Sequence, residues 1–122
     1  MPGKYILPGT IYMKTLYQIR DYHRLKEEAQ SILEESPSPA DGQPRGNSVG
    51  DPVVSKASKR EKYLWVIRII ENARDEIPTE YRHGVWASVM YREAFPVDAA
   101  RTTYSRWKSR FIYRVAEALE FI

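Results

Sequence analysis

The chain has no cysteine, only two histidines and three phenylalanines, and 122 residues in all. Without cysteine there is no disulfide framework, no thiolate metal site and no cysteine nucleophile. Secreted domains of this size more often use disulfides, so an intracellular location is expected. No apolar run approaches the roughly 18 residues of a membrane span; the longest, Tyr63 to Ile70, is broken by Arg68. The segment Met1 to Tyr5 lacks the long apolar stretch of a signal peptide. A large excess of one charge is missing too: 19 Lys+Arg oppose 16 Asp+Glu, a net of +3. That excludes an arginine-rich tail and an acidic solvating segment, and any affinity for nucleic acid must come from local concentration. The length is that of one ordinary domain.

What is present is helical periodicity, interrupted once. Ser36 to Val54 holds Pro37, Pro39, Pro44 and Pro52 with Gly42, Gly46 and Gly50. Proline removes backbone donors and glycine removes conformational bias, so this stretch reads as a flexible linker. The alternative is an arm that orders on a partner through Arg45 and Asn47. Before it, Thr10 is expected to cap one long helix running to about Ser36. Its narrow apolar seam of Tyr12, Leu16, Ile19, His23 and Lys26, continued by Ala29 and Leu33, suits a partner helix more than a broad core. After the linker, Ser58-Lys-Arg-Glu61 fits a capping box. Tyr63, Val66, Ile67, Ile70, Ala73 and Ile77 then share a helical face, and Pro78 ends the helix. Leu64, Trp65 and Ile69 lie off that face, and Trp65 is the expected subunit or partner contact.

Thr79 opens a shorter helix to about Arg92, with Tyr81, Val85, Val89 and Trp86 inward. A last helix starts near Thr102 or Thr103, with Tyr104, Trp107, Phe111, Val115, Ala118 and Leu119 on its core face. Period-two alternation is absent over any useful length. The expected fold is all-α: an N-terminal helix over residues 1–36, a linker over 37–54 and a small helical bundle over 55–122. The bundle should end in a helix-turn-helix-like pair.

Residues 1–36 carry five basic against five acidic side chains, whereas 81–122 carry seven against four. Between Ala99 and Arg114 lie Arg101, Arg106, Lys108, Arg110 and Arg114 with no acid. The wheel sets Thr102, Arg106, Ser109, Arg110 and Tyr113 opposite the core face and puts Lys108 beside the apolar seam. Arginine bonds guanine edges bidentately and hydroxyls reach phosphates or bases, so this helix reads as a candidate recognition helix. Its N-terminal amides, from Thr102 to Tyr104, favour phosphate.

The segments Asp41-Gly-Gln-Pro-Arg-Gly-Asn47 and Asp51-Pro52, then Ile77-Pro-Thr-Glu-Tyr-Arg82, Thr103-Tyr-Ser-Arg-Trp-Lys108 and Phe111-Ile-Tyr-Arg-Val-Ala116, carry a family likeness. Over roughly residues 12–122 the chain resembles the RinA/ArpU-like transcriptional regulators of phages and prophages in Gram-positive bacteria. The resemblance implies a sigma-region-4-like helix-turn-helix that binds promoter DNA and activates late or packaging genes in the cytoplasm of a bacterial host. The chain departs from that pattern where only Glu93 to Arg101 separates the last two helices. Pro96 is expected to begin one helical turn there.

Double-stranded DNA is the expected partner, held by Arg101, Thr102, Thr103, Arg106, Ser109, Arg110 and Tyr113, with Lys56, Lys59, Arg60 and Lys62 on phosphates. Tyr12, Leu16, Ile19, Leu33 and Trp65 would drive self-association into a homo-oligomer. The second reading is a helical adaptor or inhibitor that binds a host or phage protein, such as RNA polymerase, a packaging enzyme or a defence nuclease. No enzyme is expected, and no cofactor or metal. His23 and Glu27 stand at i and i+4, but no second ligand pair is near. His83 reads as packing. Glu27, Glu28, Glu34 and Glu35 form a solvated face with nothing apolar to raise a pKa. No phosphate-binding glycine loop, nucleophile elbow or zinc spacing occurs.

Overall fold

Five α-helices and no strand are present among the described residues of the computed structural model, which are 5–35 and 52–122, with side chains described for 5–34 and 57–122. In chain order they are α1 (Gly9–Arg20), α2 (Tyr22–Glu35), α3 (Pro52–Asp75), α4 (Thr79–Tyr91) and α5 (Arg101–Ala118). The fold is all-α. Arg45, Asn47 and nearly all of the expected linker lie outside the described residues.

The expected single N-terminal helix is two helices. At Asp21 the backbone flattens to φ −80° and ψ −1°. Its N–H is shared between Tyr17 O and Gln18 O, each at 3.2 Å, which turns the chain without breaking the hydrogen-bond run. The Asp21 carboxylate grips Arg24 through two contacts of 2.8 and 2.6 Å. That hydrogen bond holds the Asp21 pKa below its usual value. The bend changes which side faces in. Leu16 and Ile19 are buried as expected, but the buried line continues through Tyr22, Leu25, Ala29 and Ile32. His23, Lys26 and Leu33 point outward.

α3 begins six residues earlier than the Ser58 box, at Pro52. Proline suits the first helical position because its missing N–H has no helical acceptor there. Pro52, Val53 and Val54 are therefore helical rather than linker. α1 and α4 start with the same device: Pro8 O accepts Tyr12 N at 2.9 Å, and Pro78 O accepts Tyr81 N and Arg82 N at 2.9 and 3.0 Å. Thr10 and Thr79 sit just inside their helices instead of capping them. α5 likewise starts at Arg101, one residue ahead of Thr102.

α2 runs antiparallel along α3. Tyr22 Oη donates to Glu71 at one end, and Arg60 Nε donates to Ala29 O at 3.2 Å towards the other. α1 packs on α5 and α4, where Arg20 Nε donates to Val89 O at 2.8 Å. One core joins all five helices, with Ile19, Ile70, Val85, Phe111 and Val115 at its centre. An aromatic chain crosses it: Tyr22 meets Trp86 edge-on at 5.1 Å, and Trp86 meets Phe111 at 6.2 Å. Each such pair adds about 0.5–1.5 kcal/mol beyond area burial. On α5 the inward face includes Ile112 and Ala116, whereas Ala118 is exposed and Trp107 half-buried.

Candidate nucleic-acid interface

α5 is positioned by the strap that precedes it. The connection 92–100 contains no helix, so the turn expected at Pro96 does not form. It leaves α4 through Arg92, whose φ is +58°. Phe95 stacks on Tyr104 with centroids 5.3 Å apart at 14°, and Tyr104 Oη donates to Asp98 Oδ1 at 2.6 Å. The Asp98 carboxylate and burial push the Tyr104 pKa up to about 12. Tyr81 meets the same ring edge-on at 5.4 Å. Beneath them lies Gly84: a Cβ there would stand 2.6 Å from Tyr104 Cε1 and 2.7 Å from Pro96 Cδ. The strap is thus built onto α4 by close packing. It is longer than the roughly three- or four-residue turn of a helix-turn-helix.

The five cations of α5 form two ridges, not one. Arg106, Arg110 and Arg114 recur every fourth residue on one side, while Arg101 and Lys108 stand seven apart on the other. On the first ridge only Arg106 is fully exposed and without a partner among the described residues. Arg110 and Arg114 reach Glu76 Oε1 at 3.8 and 3.4 Å, and Arg114 also meets Glu117 at 3.0 Å. The Nε atoms of both are buried with no hydrogen-bond acceptor, so their contacts with Glu76 are ionic rather than aligned hydrogen bonds. The hydrogen bond to Glu117 holds the Arg114 pKa above its usual value. Tyr5 covers this pair, with its ring 5.5 Å from the Arg110 guanidinium and 5.8 Å from that of Arg114. Trp107 lies 5.3 Å from Arg110 on its other flank.

Thr102 and Ser109 are exposed beside Arg106, Thr103 is half-buried, and Tyr113 meets Tyr5 edge-on at 5.3 Å. Between α5 and Tyr5–Ile6 runs an open groove of ≈ 640 Å³, bordered by Thr102, Ser105, Arg106 and Ser109. Arg101 is exposed at the start of the helix, whose first turn has no side-chain cap. Lys59 and Lys62 are exposed on α3; Arg60 is bonded to Ala29 O, and the Lys56 side chain lies outside the described residues.

The expected self-association residues divide similarly. Leu16 and Ile19 are buried in the chain's own core and Tyr12 is packed against it. Leu33 and Trp65 remain 50% and 46% exposed. Tyr5, Glu76, Ser88 and Asp98 went unnoticed in the sequence because each acts on α5 from another element. His23 pairs with Tyr91 Oη at 3.2 Å, and no group of acids and histidines able to hold a metal occurs among the described residues. No described helix is long and apolar enough to cross a membrane. No family model matches the chain, and no curated protein or solved structure does either.

Proposed function

We propose that the chain is a phage-type transcriptional regulator that binds double-stranded DNA through α5. The observation that carries this reading is the Thr102, Arg106 and Ser109 row: exposed, aligned on one helix side, with Arg106 unpaired among the described residues. A free guanidinium flanked by hydroxyls is the chemistry that reads guanine edges and phosphates. The uncapped first turn of α5 adds amides that suit a phosphate. Arg101, Lys59 and Lys62 supply flanking charge. Late or packaging genes would be the target, inside a bacterial host. Leu33 and Trp65 are the surfaces left for a second copy, which would supply a second half-site.

An electrophoretic shift with the DNA flanking the gene, at low salt, tests this. Retardation that weakens steeply with salt and is lost in the Arg106→Ala, Arg110→Ala double variant supports it. No shift at low salt overturns it.

One observation favours the second reading, a helical adaptor or inhibitor of a host or phage protein. The strap stands where a scaffold helix is expected, and two of the three first-ridge arginines are held by Glu76 and Tyr5. That reading predicts no DNA retardation and protection of Trp65 or Leu33 in a complex with a protein such as RNA polymerase.

A further inference from the structure

Lys108 stands in an environment the first ridge does not explain. Towards the C-terminal end of α5, its inward direction is filled by Ile112, Val115 and Leu119. At the N-terminal half the same direction is occupied by Lys108 and Arg101, and there the core gives way to a cleft of ≈ 590 Å³ between α5, Ser88 of α4 and the strap. Lys108 Nζ donates to Ser88 Oγ at 3.1 Å and lies 5.7 Å from the centre of the Phe95 ring.

A half-buried ammonium ordinarily has a carboxylate partner. Lys108 has none among the described residues. Burial lowers its pKa first, and the charge of Arg20, another cation, lowers it further. Arg101 lines the same cleft and is likewise unpaired. Glu93 stands on its exposed rim and forms no ion pair with Lys108. Two unpaired cations and a buried-side hydroxyl therefore face one opening, at the end of α5 where its first-turn amides also open.

We propose that this cleft binds a phosphoryl oxyanion, with Lys108 Nζ, the Ser88 hydroxyl and the Arg101 guanidinium as its donors. Three donors from two helices match an anion with several acceptor oxygens. The anion has two sources, a backbone phosphate of bound DNA or a free phosphate. The DNA source rests on the function proposed above; the site itself does not.

The test is a titration of the full chain with inorganic phosphate, then with a short duplex, following the Lys108 ε-methylene signals by NMR. The expected result is a saturable shift with phosphate that weakens at least about tenfold in Lys108→Met and survives in Lys108→Arg. With duplex, Lys108→Met should reduce the salt slope by about one. Circular dichroism of both variants checks that they fold. Lys108 signals that stay still, or drift without saturating, with both probes overturn the site. A duplex that binds without moving Lys108 overturns the site while leaving DNA binding in place. Saturable phosphate binding with no duplex binding supports the site and identifies the free anion as its ligand.

Discussion

Arg106 and Arg110 stand one helical turn apart on α5, yet their engagements are opposite. Arg110 lies between the rings of Tyr5 and Trp107 and 3.8 Å from Glu76, whereas Arg106 touches no partner among the described residues. The two single variants should therefore separate. Arg106→Ala is expected to lower DNA affinity by about 1–3 kcal/mol with no change in melting temperature. Arg110→Ala is expected to lower the melting temperature, because it removes stacking as well as a surface ion pair of at most about 1 kcal/mol. Fluorescence anisotropy with labelled duplex, beside thermal melts, checks both.

Gly84→Ala tests the strap. The added Cβ meets Tyr104 and Pro96 at under 3.0 Å, and neither is the far end of a flexible side chain. Overpacking of this kind costs about 1–3 kcal/mol. Urea unfolding should show it, and the α5 amide signals should shift most in the first two turns. A variant as stable as the parent would mean that the strap does not rest on α4.

Lys108→Met should stabilise the fold at neutral pH, and the gain should fade in alkali. Burial holds the Lys108 pKa below its unfolded value of 10.5. The folded chain thus bears the cost of the buried charge at all pH below its depressed pKa. Between that value and 10.5 the unfolded state binds more protons, so parental stability rises with pH and approaches that of the variant. Paired denaturation curves from pH 7 upward measure the difference; a gap that widens with pH contradicts it.

Arg92→Gly should raise stability by up to about 1 kcal/mol, since a non-glycine residue at φ +58° carries a left-handed penalty. Thermal melts read this directly. The same variant keeps the strap, so DNA retardation should persist.

The class of fold and the chain order of its parts were legible because four of the inward faces are periodic: Ile67, Ile70, Ala73 and Ile77 on α3, Val85 and Val89 on α4. Tyr104, Phe111, Val115 and Leu119 give α5 away in the same manner, as do Leu16 and Ile19 for α1. The bend at Asp21 was not legible, because aspartate neither forbids helix nor commands a turn, and one flattened ψ redirected every later residue of the seam. The start of α3 was missed because proline marks both linkers and first helical turns. Charge was read correctly in amount but not in arrangement. Whether Arg110 is free depends on Glu76 and Tyr5, which approach it only in the folded chain.

The clearance above Gly84 also has a use in tracing ancestry. Four residues make the strap work together: glycine at 84, proline twelve positions on at 96, aspartate at 98 and tyrosine at 104. Each answers a steric or hydrogen-bonding demand of another, so the set forms a fingerprint with fixed intervals. A distant chain carrying that spacing between two helical periodicities would be expected to share this joint, even where the rest of its letters have drifted past recognition by alignment.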